Sequence, residues 1–365
     1  MAFYLALDAG GTKTEYVLAN DTHELARVRG GTIKRMRTDA DTAARNFADA
    51  LAELTHKTGI AMTSITRSCV GTAGITVPLV SDWIREAFAR SVSGTLILVG
   101  DVEIALDAAF FGGPGVLVMA GTGSNVAGRT RAGQLTTAGG WGPALADQGS
   151  GNRIGHQALR EAFLALDENR PSTLMPAILH LWQLPDAHAL VAYGNQIPPP
   201  DFTRLTPLVV ECAQGGDTAA QNVLRREAED LAHLGRLVID RLVNDRLVND
   251  RLVTDQQPTN QQATGHQLND RLDHAEANAQ PQAETPAKTQ DTTPNWLPSL
   301  AFTGSILEHI PPVRAALVEA LHRDLPTLHI LPGVVDPILG ALWRARNGEP
   351  SLTPHLNTPG AQANP

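Results

Sequence analysis

A carboxylate, two glycines and two hydroxyl side chains lie together in one short turn near the start of the chain. This first turn reads DAGGTKT from Asp8 to Thr14, between apolar segments. Glycines let a backbone approach a phosphate, and the N–H groups of such a turn bind anions. A carboxylate repels phosphates unless a cation lies between them, so Asp8 suggests Mg²⁺ held partly through water. The turn therefore predicts a nucleotide-phosphate site, and a hairpin with a solubilising aspartate is the simpler alternative.

A second turn of the same character reads GTGSN, from Gly121 to Asn125, and it also follows an apolar strand. Two such turns facing each other could grip the two ends of a triphosphate. The Walker A pattern GxxxxGK[ST] is absent, so the chain predicts a different nucleotide fold. A third glycine, Gly304, ends a predicted strand, where it could let an adenine ring pack flat on the backbone.

Hydrophobic periodicity predicts the elements that position these turns. The predicted strands are Phe3–Leu7, Glu15–Ala19, Ser68–Gly71, Thr95–Val99, two within Gly115–Thr130, and Leu300–Gly304. The predicted helices are Ala40–Thr58, Val80–Ser91, Val102–Phe110, Asn152–Leu166, Ala219–Val243, Val313–Leu321 and Pro337–Arg346. Because strand, glycine turn and strand occur twice along the chain, the pattern suggests a duplicated architecture.

Two segments predict no folded structure. A pentapeptide of the type RLVND repeats from Arg236 to Asp255, and five residues rotate a helix by about 140°, so its leucines form no single stripe. The polar stretch that follows cannot bury enough apolar surface to offset its ordering entropy. We expect the first repeat to end a core helix, residues 244–296 to form a disordered insertion, and residues 351–365 to form a disordered tail.

Length and composition exclude several classes of protein. The 365 residues suggest two domains, and a hydrophobic fraction of 42% is enough for a core. The net charge of −9 argues against a general nucleic-acid binder. Cys69 and Cys212, the 2 cysteines, cannot form a four-thiolate site and are expected to be buried and reduced. Without a signal peptide or a long apolar stretch, we expect a cytoplasmic protein with no membrane partner.

Five motifs in a fixed order point to a family. They are DAGGTKT, GTGSN, GGWGPALADQGS, FTGSI and DPILGALWRA. The set resembles the sugar kinase, Hsp70 and actin superfamily and, more narrowly, the N-acetylglucosamine kinases of the BadF/BadG/BcrA/BcrD ATPase group. The resemblance implies an α/β, two-lobed actin-like ATPase (ribonuclease H-like) fold with duplicated mixed-sheet domains. The lobes would span residues 1–112 and 113–350, with the disordered low-complexity insertion inside the second.

The resemblance also implies a reaction and its binding residues. An N-acetylated amino sugar would be phosphorylated by ATP at its 6-hydroxyl, with Mg²⁺ near Asp8, in a protein that forms a homodimer. ATP would be bound by Gly10, Gly11, Thr12, Lys13, Gly121, Thr122 and Gly304. The sugar would be bound by a substrate group of six residues, which are Ser124, Asn125, Gly140, Trp141, Gly142 and Asp147. For Trp141 a place in the core is the alternative.

Family members place the catalytic base at the end of a strand in the first half of the chain, and Asp101 occupies that position here. Such a carboxylate can orient a sugar hydroxyl and accept its proton. The alternative is that Asp101 only caps the following helix. Asp107 is less suited to be the base because it lies more than one turn into that helix.

The segment at residues 30–39, here called the basic loop, departs from the family pattern. It carries Lys34 and Arg35 and lacks the expected asparagine, while Gln148 replaces a glutamate and Asn152-Arg153 replaces an aromatic pair. One hypothesis is that Lys34 or Arg35 binds an anionic substituent, such as the lactyl group of N-acetylmuramic acid. The alternative is that both are solvated basic residues.

Two other functions remain open from the sequence. Activating ATPases of radical dehydratases belong to the same group, but they need suitably paired cysteines for a cluster that bridges two subunits. A non-catalytic sensor of nucleotides or sugars on the same scaffold would still bind ATP, and an assay of sugar-dependent ADP release would distinguish it.

Overall fold

The computed structural model describes residues 1–244 and 297–348. The predicted insertion at 244–296, apart from its first residue, and the predicted tail at 351–365 lie outside this part of the chain. Within the described ranges, no helix combines the length and the apolar character needed to cross a bilayer.

The first sheet has five strands in the order β3-β2-β1-β4-β5. The strands are β1 (Phe3–Ala9), β2 (Lys13–Asn20), β3 (Glu24–Gly31), β4 (Arg67–Thr72) and β5 (Thr95–Val99). The predicted pairing of the first two strands is confirmed, because β1 is antiparallel to β2. Strands β1, β4 and β5 run parallel. Strand β3 was not predicted, because it is polar and lies at the edge of the sheet.

Helices cover both faces of this sheet, as a continuously apolar strand requires. They are α1 (Ala40–Thr58), α2 (Pro78–Ser91) and α3 (Asp101–Phe110). Helix α1 agrees with its prediction because Asp39 accepts a hydrogen bond at its N-terminus and Gly59, with φ 69°, ends it. Leu5 and Leu7 of β1 pack with Phe47 of α1. Tyr4 and Ala6 point to the opposite face.

The second sheet has four strands in the order β8-β7-β6-β9. The strands are β6 (Gly115–Ala120), β7 (Ser124–Arg129), β8 (Leu135–Gly139) and β9 (Leu300–Thr303). The helices along the second half of the chain are α4 (Gly151–Asp167), α5 (Leu174–Trp182), α6 (Ala187–Gly194), α7 (Leu205–Gln214), α8 (Thr218–Val243), α9 (Ser305–His309), α10 (Pro311–Asp324) and α11 (Pro337–Asn347). The predicted repetition of strand, turn and strand is confirmed, since β6 and β7 pair as β1 and β2 do.

The first pentapeptide repeat lies in a core helix, as expected, but the helix continues into the second repeat as far as Val243. Val238 and Ile239 of the first repeat and Leu242 of the second are buried. The lobe limits at residues 112 and 113 stay a prediction. Helix α11 follows the second sheet in sequence, but it packs against the first sheet through Ile338 and Ala341.

Helices α3 and α11 cross where the chain passes between the two sheets. At the crossing, a Cβ added to Gly340 would lie 1.8 Å from the carbonyl oxygen of Ile104. Next to it, Nε of Arg344 donates to Oδ2 of the fully buried Asp107 at 2.6 Å. Arg129, at the end of β7, forms an ion pair with Oδ1 of the same carboxylate at 2.7 Å. Asp107 of α3 thus binds both α11, which packs on the first sheet, and β7 of the second sheet.

Replacing Gly340 by alanine should lower the free energy of unfolding by about 3 kcal/mol or more, because the new methyl group meets a backbone carbonyl that cannot rotate away. Denaturant unfolding followed by circular dichroism measures this. The matched control is Gly194→Ala in α6, where no atom of the described residues lies within 4 Å of the added Cβ. It should be neutral or stabilising by up to about 1 kcal/mol. Equal stabilities of the two variants would contradict the close crossing.

Candidate functional site

Two carboxylates lie at the same edge of the first sheet. Asp8 is the last residue but one of β1 and pairs in register with Gly71 of β4, which pairs with Val99 of β5 shortly before Asp101. Because β1, β4 and β5 are parallel, their carboxyl ends share one edge, where open α/β sheets bind ligands. Gly71 is required between them, since a Cβ there would lie 2.2 Å from Cδ1 of Ile104. The fold thus brings Asp8 of the first turn and the predicted base to one place.

Asp8 lies in an excess of negative charge. Burial, followed by the charges of Asp101, Glu15 and Asp336, raises the pKa of Asp8 to about 7, and Lys13 only partly opposes this. Without a cation, this carboxyl is therefore close to half-protonated at neutral pH. A bound divalent cation would restore its charge.

Asp101 is the first residue of α3, half-buried at its N-terminus. Burial raises the pKa of Asp101, and the backbone N–H of Val102 and the charge of Lys34 oppose the rise. Its Oδ1 accepts from Val102 N at 2.9 Å, while the capping position itself belongs to Gly100. Asp101 is therefore the first helical residue of α3 and not its N-cap. Asp107 is fully buried and ion-paired, which agrees with its rejection as the base.

The donor set fits Mg²⁺ better than a caged metal. Among the described residues, no group of three or more His, Cys, Asp or Glu side chains could hold a metal ion. Mg²⁺ commonly uses one or two carboxylates and completes its shell with water and phosphate oxygens. Asp8, with its raised pKa and its carboxylate neighbours, is suited to that role.

The first turn presents glycine backbone to solvent, but Lys13 is engaged elsewhere. Gly11 and Thr12 are exposed. Lys13 Nζ lies 3.3 Å from Oε1 of Glu15, a carboxylate that Arg27 and Arg29 also contact, and its charge opposes the raised pKa of Asp8. Thr14, considered as a second hydroxyl donor, is fully buried, and its Oγ1 accepts from the backbone of Ile33. Thr14 is therefore a structural residue.

The second turn opens onto a cavity of about 440 Å³. Gly121 and Thr122 line it together with Gly151, Thr203, Thr206, Pro207, Val210, Ser305, Ile306, His309 and Ile310. The carbonyl of Gly121 accepts from Gly151 N at 2.8 Å, which fixes the turn against the start of α4. The backbone itself requires glycine at position 304. The φ of Gly304 is 99°, and a Cβ there would lie 2.3 Å from the Ala120 carbonyl oxygen.

The structure brings the substrate group together beside the second turn. Oδ1 of Asp147 accepts from Gly142 N at 3.0 Å, and a Cβ on Gly123 would lie 3.0 Å from its Oδ2. A Cβ on Gly140 would lie 3.0 Å from Cγ of Asn125. The Trp141 side chain is 45% exposed, so it does not lie in the core.

Ser124 and Asn125 differ in what they can still bind. Ser124 Oγ donates to the Gln148 carbonyl oxygen at 2.6 Å, so this hydroxyl proton already supports the loop that carries Asp147. The buried Oδ1 of Asn125 has no hydrogen-bond partner within the described residues. Asn125 is therefore the better placed of the two to accept a bond from a ligand.

Sequence reasoning missed two groups of residues at this site. One is the α7 and α9 wall of the cavity, where Thr206 and Val210, and likewise Ser305 and His309, are four residues apart and share a helix face. The other is Glu227, whose Oε2 accepts from Gly149 N at 2.8 Å and so holds the Asp147 loop. The four-residue spacing of the cavity residues can be read from the sequence. No sequence pattern distinguishes Glu227 from the other polar residues of its amphipathic helix.

The two basic residues singled out in the basic loop behave differently. Arg35 donates to the carbonyl oxygen of Thr38 and supports the loop itself. Lys34 is half-buried, and its charge acts on Asp101. Its ammonium group has no hydrogen bond or ion pair in the part of the chain that the structure describes.

Comparisons with known proteins show a family and several similar kinases. The model of the BadF/BadG/BcrA/BcrD ATPase family matches residues 5–250. An N-acetylmuramic acid/N-acetylglucosamine kinase of Clostridium acetobutylicum is 28% identical over 63% of this chain and 77% of its own. An N-acetyl-D-glucosamine kinase of Dictyostelium discoideum is 29% identical over 65% of this chain and 79% of its own.

A solved structure confirms the expected fold class. It is a candidate N-acetylglucosamine kinase from Chromobacterium violaceum, which aligns over 94% of this chain and 98% of its own with a TM-score of 0.63 and 22% identity. The two-lobed actin-like architecture is thereby confirmed at the level of the fold.

Replacing Asp8 by asparagine should flatten the pH dependence of stability of the nucleotide-free protein. A carboxyl whose pKa rises from 3.8 to about 7 on folding holds more protons when folded, so the wild-type free energy of unfolding falls as pH rises through that interval. Above pH 7, Asp8→Asn should be more stable than the wild type by about 1–3 kcal/mol. Denaturant unfolding across this range measures it, with Asp49→Asn, exposed on α1, as the control. Parallel curves for Asp8→Asn and the wild type would contradict the assignment.

Proposed function

The chain belongs to the BadF/BadG/BcrA/BcrD ATPase family and is an ATP-dependent sugar kinase, and we propose that it phosphorylates the 6-hydroxyl of an N-acetylated amino sugar. One observation carries the proposal. The first turn follows β1 and the predicted base follows β5 in one sheet, where β1, β4 and β5 are parallel, so a phosphate in the turn and a hydroxyl at Asp101 would be neighbours.

In the proposed reaction Asp101 is the general base. The acceptor oxygen forms a bond to the terminal phosphorus of ATP while the bond from phosphorus to the bridging oxygen breaks and ADP leaves. Asp101 accepts the hydroxyl proton and later returns it to solvent. Burial makes this carboxylate more basic than a surface aspartate, and the nearby charge of Lys34 favours the anion that the step requires.

The nucleotide would lie between the two glycine turns. Gly10, Gly11 and Thr12 would donate to the phosphate at the acceptor side, and Gly121 and Thr122 to the others, with the adenosine in the 440 Å³ cavity. Asp8 would hold Mg²⁺ through water, and the metal would neutralise phosphate charge when bound. Phosphoryl transfer depends mainly on such positioning and charge neutralisation.

The acceptor would lie against the substrate group. Asn125 offers a buried oxygen without a partner in the described part, suited to an N–H or hydroxyl of the sugar. Asp147, held by Gly142, offers a second acceptor. Trp141 is exposed, as a side chain that packs on a sugar must be. The names of the Clostridium and Dictyostelium relatives support an N-acetylated amino sugar.

An acidic amino sugar is the second candidate acceptor, and Lys34 is the observation that favours it. Lys34 is half-buried, and its ammonium group acts on the Asp101 charge without a hydrogen bond or ion pair in the described ranges. It could bind a carboxylate of the acceptor. The relative from Clostridium is named for both N-acetylmuramic acid and N-acetylglucosamine.

The other two functions find less support. Cys69 and Cys212 are buried, which does not suit a cluster shared between subunits, and burial raises the pKa of the Cys69 thiol to about 12. A non-catalytic sensor would bind nucleotide without releasing ADP. We keep the homodimer and the cytoplasmic location as proposals.

Replacing Asp101 by asparagine should lower kcat by about 10²- to 10⁴-fold with little change in KM, because the amide still accepts a hydrogen bond but takes no proton. ADP release coupled to N-acetylglucosamine addition measures the rate, and phosphorus NMR of the product identifies the phosphorylated hydroxyl. Asp82→Asn, exposed on α2, is the control. Full activity of Asp101→Asn would refute the assigned base.

Replacing Lys34 by glutamine should discriminate between the acceptors. If an acidic amino sugar is the substrate, Lys34→Gln should raise its KM by about tenfold, equivalent to one charged hydrogen bond, and leave N-acetylglucosamine nearly unchanged. Steady-state kinetics with both sugars decides this. An equal effect on both sugars would mean that Lys34 acts on the charge of Asp101 and does not bind the acceptor carboxylate.

A further inference from the structure

We propose that the Arg37 guanidinium binds the terminal phosphate of ATP and stabilises it during transfer, an inference that rests on the proposed function. Arg37 lies in the basic loop, next to the first turn. Nothing in its sequence context distinguished it from Lys34 and Arg35.

The side chain of Arg37 lies across the open face of the first turn. A Cβ placed on Gly11 would lie 3.8 Å from Arg37 Nε and 3.9 Å from its Cγ. The guanidinium is therefore next to the backbone that the proposed function assigns to a phosphate. A phosphate bound there would be within reach of it.

The basic loop is built to hold this position. Thr32 Oγ1 donates to the carbonyl oxygen of Gly10 at 2.8 Å, and Asn46 of α1 donates to the Thr32 carbonyl at 2.9 Å. The Arg37 N–H donates to the Lys34 carbonyl at 2.8 Å, which closes a turn. Asp39 then caps α1. Both ends of the loop are thus fixed against the first turn and α1.

Three other cations near the first turn pair with one carboxylate, and Lys34 acts on the charge of Asp101. Lys13, Arg27 and Arg29 all pair with Glu15, at 3.3, 3.7 and 2.5 Å. By contrast, Arg37 makes no side-chain hydrogen bond or ion pair with any residue of 1–244 or 297–348. A triphosphate brought to an edge that already carries Asp8 and Asp101 needs added positive charge, and Arg37 can supply it.

The terminal phosphate is the one assigned because of where the base lies. Asp101 must touch the attacking hydroxyl, and it follows β5 at the same sheet edge as the first turn. The phosphorus under attack is then the one nearest this turn. A guanidinium fork matches two oxygens of a phosphoryl group and stabilises charge that spreads over them in transfer.

The first test compares nucleotide binding by the full-length wild type, Arg37→Met, Arg37→Lys and Arg45→Met, by calorimetry with Mg²⁺. Arg45 is an exposed arginine of α1 whose guanidinium donates to Thr42 Oγ1 at 2.8 Å, which makes Arg45→Met the matched control. Arg37→Met should weaken a non-hydrolysable ATP analogue by about tenfold or more, the loss of a charge-assisted bond, and leave ADP within about threefold. Arg37→Lys should be intermediate. An equal loss for ADP, or no loss for either nucleotide, overturns the proposal.

The second test measures turnover with N-acetylglucosamine. Arg37→Met should lower kcat by about 100-fold, and Arg45→Met should not change it. Wild-type kcat in Arg37→Met overturns the catalytic part. Thermal unfolding of each variant shows whether it is folded. If Arg37→Met does not fold, the same measurements on the milder variant Arg37→Lys decide the question. If the wild type binds nucleotide but phosphorylates no amino sugar, the proposed function fails, while the binding comparison still decides whether Arg37 contacts the terminal phosphate.

Discussion

The crossing of α3 and α11 is the constraint on which the rest of the structure depends. Helix α3 begins with Asp101 and leads from the first sheet to the second, and α11 returns to pack on the first sheet. Gly340 lets the two helix backbones approach closely, and the buried Asp107 forms ion pairs with both Arg344 and Arg129. Removing one partner of such a buried pair leaves an uncompensated charge, which is costly. The same helix therefore carries the proposed base at its start and the joint between the sheets in its middle.

This joint couples stability to the electrostatics of the site. Glu103 caps the start of α3 through Gly100 N at 3.0 Å and lies 3.3 Å from Arg344 of α11. The position of Asp101 thus depends on contacts with a helix more than two hundred residues away in sequence. Asp336, at the start of α11, also adds to the negative charge that raises the pKa of Asp8. A shift of α11 relative to α3 would therefore change the position of Asp101 and the electrostatic surroundings of Asp8.

The two sheets divide the proposed chemistry between them. The first sheet carries the first turn, Asp8, Asp101 and the basic loop, so it supplies charge control and the proton acceptor. The second sheet carries the second turn, the cavity and the substrate group, so it supplies recognition of nucleotide and sugar. Strand, turn and strand recur in both because an antiparallel pair beside parallel strands delivers a glycine turn to the carboxyl edge of a sheet.

The sequence by itself determined the local features: the glycine turns, the strand–turn–strand repetition, helix α1 with its caps, and a carboxylate after β5. These depend on neighbours close along the chain, where periodicity and turn chemistry apply. Tertiary structure decided which polar groups remain available, because that depends on residues far apart in sequence. It placed Lys13 on Glu15, buried Thr14 under Ile33, tied Ser124 to Gln148 and left Arg37 over Gly11. Composition cannot reveal such pairing, because a charge is free or balanced only relative to its neighbours in space.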